Sequence, residues 1–328
     1  MELQLVRRLT GRKLAQWKAL MEKTGLHGDP DGDSTVLLYA EDTLAATGTR
    51  RGNLLKYIAV DPAHQGEDLT ARVLTALRQD AMEAGHRHLF LYTKPRNGQM
   101  FSSLFFYPIA ETDQVLLMEN RRGGIGEFLA RYPKKALSGT VGAAVMNCNP
   151  FTLGHQYLVE TAAKSCDHLY VFVLSEDKSR FSAADRLEMV RRGTTHLPNV
   201  TVLPTGPYLI SSATFPTYFL KDREQAGTVQ CLLDIAIFAE FYAPHFGITR
   251  RFVGTEPLSP MTGQYNEALK ANLPNYGIAV TEIPRLETGN RPISATAVRK
   301  ALDEGTDFRH LVPPTTYEYL IQGGFCHA

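Results

Sequence analysis

The stretch Val141-Gly142-Ala143-Ala144-Val145-Met146-Asn147-Cys148-Asn149-Pro150-Phe151-Thr152-Leu153-Gly154-His155 decides how the chain is read. Val141 to Met146 reads as a strand, and the Asn, Pro, Thr and Gly punctuation after it reads as a turn opening a helix. That helix buries Leu158, Ala162 and Cys166 at i, i+4 and i+8. The loop therefore sits where the first amides of a helix point outward with partial positive charge, a ready anion site. Gly154 lets a phosphate approach the main chain with no Cβ in the way, Thr152 offers a hydroxyl, and His155 offers a ring N–H. The same residues also suit a proline-initiated turn with Thr152 as helix cap and His155 at the surface.

Working outward, the strand–helix rhythm continues through Leu169 to Leu174, Val200 to Leu203, Arg251 to Val253 and Ala279 to Ile283. Such alternation predicts a parallel sheet with crossover helices. The run Leu232 to Phe238 is too apolar for a surface helix, so it is expected to pack on both sides, and the acidic Asp234 inside it calls for a reason. Upstream the pattern differs. Thr10 is placed to cap a helix with Leu14, Trp17 and Met21 on its apolar face, ended by Gly25. Strand-like runs follow at Val36 to Tyr39, Thr43 to Thr49 and Leu54 to Val60, then a helix through Leu69, Val73 and Leu77, then strands at Leu89 to Tyr92 and Val115 to Met118. This predicts an α+β domain. The polar segment Glu119 to Gly124 reads as a boundary, giving domains at 1–124 and 125–328 with the helix Glu127 to Tyr132 as connector.

A chain of 328 residues exceeds one ordinary core, which agrees with two domains. It is 44% hydrophobic and 21% charged, with 35 basic against 34 acidic side chains. A net charge of +1 gives no general attraction to nucleic acid or anionic membrane, though it leaves room for a small phosphorylated ligand. No apolar stretch approaches the ~20 residues of a membrane span, and Met1 to Arg8 lacks the order of a secretion signal, so a cytoplasmic location is expected. Cys148, Cys166, Cys231 and Cys326 lie far apart with no CxxC pair, which fits neither a zinc site nor a disulfide framework.

A second element narrows the function: Ile293-Ser294-Ala295-Thr296-Ala297-Val298-Arg299, after the last parallel strand. Ser294 is placed to cap a helix that presents Thr296 and Arg299 near its first turn, and a guanidinium forks well onto phosphate oxygens. TxGH followed by ISxTxxR is the paired signature of the HIGH-type nucleotidyltransferase superfamily, which this chain resembles. Four segments, Met146 to His155, Tyr208 to Pro216, Arg251 to Pro257 and Gln264 to Asn266, are together similar to the citrate (pro-3S)-lyase ligase family over the whole chain. The N-terminal part resembles the N-acetyltransferase (GNAT) fold, with Val60-Asp61-Pro62 ending a strand and His64 to Leu69 opening the next helix. The fold implied is α/β: a GNAT-like α+β domain, then a Rossmann-like nucleotidyltransferase domain with a parallel sheet.

The resemblance implies an AMP-forming ligase that uses ATP and acetate, through acetyl-AMP, to acetylate the thiol of the prosthetic group on the acyl carrier subunit of citrate lyase. It implies catalytic roles for Thr152, His155, Lys178 and Arg299, and nucleotide contacts from Asn147, Asn149, Pro150, Phe151, Thr152, Gly154, His155, Arg186, Ser294, Thr296 and Arg299. Lys178, with Arg180 beside it, is a candidate cation for the leaving pyrophosphate. Ser211, Ser212 and Glu256 are candidates for the acetate and thiol side. Mg²⁺ is expected with ATP, held mostly by phosphate oxygens and water, and Asp177 and Glu256 are candidate protein ligands. Cys148 is not assigned as nucleophile, because the partner already supplies a thiol. In active acetyltransferases the turn before the helix receives a pyrophosphate; Glu67 and Asp68 would repel one, so the N-terminal domain is expected to grip a coenzyme-A-like arm or its carrier rather than to transfer acetyl groups. The alternative is an adenylyltransferase of the pantetheine-phosphate or nicotinamide-mononucleotide type, which shares the phosphate motifs.

Overall fold

The computed structural model describes residues 1–134, 138–176, 179–209, 217–218, 220, 226–256, 260–288 and 291–325. Two compact units divide the chain: Met1–Ile125 with Phe215–Leu233, and Gly126–Thr214 with Asp234–Ala328.

The first unit runs β1 (Glu2–Val6), α1 (Gly11–Thr24), β2 (Ser34–Ala40), β3 (Thr43–Arg51), β4 (Leu54–Val60), α2 (Leu69–Glu83), β5 (Phe90–Thr93), α3 (Gly98–Ser103), β6 (Tyr107–Glu111) and β7 (Leu116–Glu119). Its sheet has the order β1-β2-β3-β4-β5-β7-β6. Helices cover the sheet on both faces, which is why Val36-Leu37-Leu38-Tyr39 is a continuous apolar run with every residue buried. Val36 and Leu38 share a core with Val73 and Leu77 of α2, while Trp17 of α1 meets Tyr57 edge-on. Thr10 precedes α1 without capping it by its side chain, and Gly25 closes the helix in the left-handed conformation. Neighbouring strands are antiparallel except β4 and β5, which pair in parallel only through Leu54 with Phe90 and Leu55 with Leu91. Beyond those two pairs the strands part, and Tyr218 donates a hydrogen bond to the Tyr92 carbonyl at 3.0 Å.

The second unit, from α4 (Gly124–Ala130) onward, runs β8 (Val141–Met146), α5 (Leu153–Lys164), β9 (His168–Val173), α6 (Ala183–Gly193), β10 (Val200–Pro204), α7 (Ala226–Ile237), α8 (Ala243–Phe246), β11 (Arg250–Gly254), α9 (Pro260–Asn272), β12 (Ala279–Ile283), the short pair β13 (Glu287–Thr288) and β14 (Arg291–Pro292), α10 (Ala295–Glu304) and α11 (Pro314–Gln322). A π-helical turn, Phe238–Tyr242, joins α7 to α8. The sheet is parallel throughout, in the order β10-β9-β8-β11-β12. The chain moves outward from β8 to β10 and then crosses back to β11, so the switch of direction falls between β8 and β11. In open α/β sheets the crevice outside the carboxyl ends at that point is where ligands bind. Phe151, Val159, Val171, Met189, Val190, Val298 and Leu320 share one buried core, which draws α10 and α11 against the first helices of the unit. The molecule is thus α/β, with a mixed, mostly antiparallel first unit and a Rossmann-like parallel second unit.

Asp234 finds its partner in Tyr265, whose hydroxyl donates to its carboxylate. Burial pushes its carboxyl up to about 6, with the Tyr265 bond and the charge of Arg251 opposing. Arg251 is itself buried, its guanidinium 4.6 Å from the centre of the Phe238 ring. Among the described residues no helix is long and apolar enough to cross a membrane.

Candidate active site

Thr152 is the N-cap of α5, and the helix begins with a reciprocal capping box in which histidine occupies the place usually held by Glu or Gln. The His155 amide donates to Thr152 Oγ1 at 3.3 Å, and the Thr152 amide donates to His155 Nδ1 at 3.1 Å. Because Nδ1 accepts from a backbone N–H, it carries no proton, so a neutral ring must carry its hydrogen on Nε2. Burial, helped by the positive charge of Arg285, lowers the imidazole to about 4, which keeps it neutral at physiological pH. The box thus converts His155 into a fixed N–H donor beside the first amides of α5, of which those of Leu153 and Gly154 lie outside the box and, as first-turn amides, have no helical carbonyl to donate to. Phe151 stacks on the His155 ring, with 5.9 Å between centroids.

The second motif meets the first. Ser294 caps α10 by accepting from the Ala297 amide at 3.2 Å. Arg299 Nη1 donates to the Asn149 carbonyl at 2.6 Å and Nη2 donates to Thr296 Oγ1 at 3.0 Å. A Cβ added to Gly154 would lie 3.3 Å from the Ile293 carbonyl oxygen, so the glycine lets the start of α5 lie close against the backbone that leads into the second motif. Asn147, Asn149, Pro150, Phe151, Thr152, Gly154, His155, Ser294, Thr296 and Arg299 therefore form one cluster at the carboxyl end of β8.

Arg186 and Arg180 adjoin this cluster. Arg186 of α6, expected to contact the nucleotide, is fully buried: it donates to the Phe181 carbonyl at 3.2 Å, the Asn147 carbonyl at 3.0 Å, Asn147 Oδ1 at 2.7 Å, the Leu174 carbonyl at 2.7 Å and the Glu176 carbonyl. It ties the ends of β8 and β9 together. Arg180 donates to the Arg299 carbonyl at 3.1 Å and to Asp303. Glu256, just past β11, is ion-paired with Arg285. Asp177, Lys178, Ser211 and Ser212 lie outside the described residues. Cys148 is buried with φ of 51°, and burial pushes its thiol far up, so it stays protonated. No group of three His, Cys, Asp or Glu able to hold a metal occurs among the described residues. Sequence reasoning missed Arg285. Its only signal is a cation two residues past the end of β12, one strand beyond the switch point.

A parallel sheet whose first helix opens with a Thr152–His155 box, met at its carboxyl end by a Ser294-capped helix bearing Arg299, defines a nucleotidyltransferase-type α/β unit, which follows a mixed α+β unit in the chain. The profile of the citrate lyase ligase C-terminal domain matches residues 141–320. The chain is 42% identical over 304 residues to the citrate (pro-3S)-lyase ligase of Klebsiella pneumoniae, covering 90% of this chain and 88% of that one. It is 36% identical over 324 residues to the enzyme of the same name from Escherichia coli K12, covering 96% and 92%. A phosphopantetheine adenylyltransferase of Symbiobacterium thermophilum is 39% identical over 67 residues, 20% of this chain and 41% of that one. The chain belongs to the citrate lyase ligase family.

Proposed function

We propose that this protein is the ligase that switches on citrate lyase, using ATP and acetate to acetylate the prosthetic-group thiol of the acyl carrier subunit, with release of AMP and pyrophosphate. The observation that carries this reading is the convergence of Asn147–His155 with Ile293–Arg299 at the carboxyl end of β8, in a chain of this family. In the first half-reaction an acetate oxygen bonds to the α-phosphorus as the bond to the pyrophosphate oxygen breaks. His155 Nε2–H, the first amides of α5 and Arg299 suit the charge that develops on the phosphates, and Thr152 fixes His155 in the donor tautomer. Lys178 is retained as a cation for the leaving pyrophosphate. Mg²⁺ would enter with the nucleotide and neutralise phosphate charge; Glu256, already bound to Arg285, is poorly disposed to ligate it. In the second half-reaction the carrier's thiolate bonds to the acyl carbon and AMP leaves. Cys148, buried and protonated, has no part in either.

Gripping the carrier's prosthetic arm is the role we assign to the first unit. A cleft of about 700 Å³ opens where β4 and β5 part, lined among others by Val60, Gly66, Tyr92, Lys94, Arg96 and Tyr218. Asp68 before α2 has φ of 53°, a conformation that glycine adopts at no cost, and Glu67 lies 3.2 Å from His64. These carboxylates disfavour a pyrophosphate in this turn, so the cleft suits the pantetheine end of such an arm, with its pyrophosphate outside the turn, rather than a free coenzyme seated for acetyl transfer. The test is intact-mass spectrometry of the thiol-form carrier after incubation with the protein, ATP and acetate, where the gain of one acetyl group with AMP release is expected. The local likeness to a phosphopantetheine adenylyltransferase supports a second reading, and pyrophosphate released without acetate but with phosphopantetheine would select it.

A further inference from the structure

Arg285 lies outside both motifs, at the carboxyl end of β12, beside the crevice that holds them. Three bonds fix it on one edge. Its backbone N–H donates to Thr255 Oγ1 at 3.0 Å, Nε donates to the Thr255 carbonyl at 2.8 Å, and Nη2 donates to the Glu256 carboxylate. Thr255 is anchored in turn by its amide to the Ile283 carbonyl at 2.9 Å. The carboxylate is the inner member of the pair, with its side chain 7% exposed against 29% for Arg285. A buried acid thus aims a guanidinium outward, with Nη1 unpartnered among the described residues. The next residue brings this turn to the phosphate motifs: the Leu286 carbonyl accepts from the Ile293 amide at 3.2 Å, and the Ile293 carbonyl lies 3.3 Å from where a Cβ on Gly154 would sit.

We infer that Arg285 contacts an anionic oxygen of the substrates in this crevice, with Glu256 as its positioning residue. The inference rests on the ligase reading and deepens it. A locked guanidinium on the turn that adjoins the Gly154–His155 loop, where His155 is a neutral N–H donor, adds donors for one ligand without pairing it with a second cation at His155. The oxygen belongs either to a phosphate of the nucleotide or to the carboxylate of the acid. Kinetics and direct protection separate these sources.

In full-length protein, Arg285→Gln is expected to raise the Michaelis constant in acetate-dependent ATP–pyrophosphate exchange by about tenfold or more, the loss of one charge-assisted bond. A rise for ATP alone assigns the phosphate, and a rise for acetate alone assigns the carboxylate. Glu256→Gln is expected to move the same constant by a smaller factor, and Arg285→Lys to restore part of it. As a measurement that needs no variant, phenylglyoxal modification of Arg285 in the wild type, read by peptide mass, is expected to be suppressed by saturating ATP or by acetate and not by adenosine. Unchanged constants for both substrates in a folded variant, or modification that neither substrate suppresses, would overturn the inference. Absence of acetate-dependent exchange in the wild type would instead end the ligase reading, whatever the protection experiment gives.

Discussion

His155 combines three roles that a side chain rarely holds together: it closes a capping box, stacks on Phe151 and presents Nε2–H to the crevice. Its tautomer is open to ¹⁵N NMR of histidine-labelled protein. The expected spectrum has a protonated Nε2 and a bare Nδ1, with a protonation midpoint near 4; a midpoint near 6.5 would remove the fixed-donor argument. His155→Ala is expected to slow pyrophosphate exchange by about a hundredfold, the usual effect of removing one donor to developing charge. Acid titration of stability involves Asp234 as well. His155 is lowered from its ordinary 6.5 to about 4, so its contribution is present above 6.5 and lost as pH falls toward 4. Asp234 is raised from 3.8 to about 6, so its contribution is full below 3.8 and lost as pH rises through 6. The two oppose one another between about 4 and 6, each with an upper size of about 3 kcal/mol. Asp234→Asn should therefore stabilise the protein relative to wild type at pH 8 and not at pH 4, as read by denaturant midpoints.

Among the elements, α5 and α6 set the site by means that do not touch substrate. Thr152→Ala removes the cap and should cost about 1 kcal/mol, with Thr152→Ser restoring most of it in thermal unfolding. A Cβ at Gly193 of α6 would lie 2.4 Å from the Phe151 ring. Gly193→Ala is therefore expected to displace the ring that stacks on His155 and to lower exchange activity with nucleotide affinity less affected. The parallel strands were legible because each is a short apolar run between turn residues, and the two phosphate motifs because their polar residues are local and closely spaced. Arg186 was not legible as a buried tie: its α6 surroundings, Asp185 and Glu188, look like a solvent-facing helix, and only the fold brings the carbonyls of Asn147, Leu174, Glu176 and Phe181 to it. Thr10 shows the opposite error, a capping residue in the right place whose side chain makes no cap. Arg285 escaped because its partners, Thr255 and Glu256, are some thirty residues away in the chain.

For the whole molecule, the split of labour is testable with surface charge alone. Lys94→Glu combined with Arg96→Glu at the cleft of the first unit should raise the apparent Michaelis constant for the carrier and leave acetate-dependent exchange nearly unchanged, since the phosphate motifs all belong to the second unit. Equal loss in both assays would refute a gripping role. Simple removal of the N-terminal residues is a harsher experiment, because Phe215–Leu233 packs with the first unit. Tyr218, Leu220, Val229 and Leu233 are buried there, and a chain starting at Gly124 would leave them without their cover. Such a truncation is expected to aggregate, as measured by light scattering.

That returning segment also bears on how the protein is made. Residues through Ile125 are synthesised about a hundred residues before Leu233, a delay on the order of 5–20 s at ordinary elongation rates. During that interval the strands on either side of the cleft lack Tyr218, so the first unit waits, incomplete, for its last piece. A stall or a nonsense codon anywhere between 126 and 215 would release a nascent chain whose first half cannot finish folding, and quality control would meet it as an unfinished sheet rather than as a small stable domain.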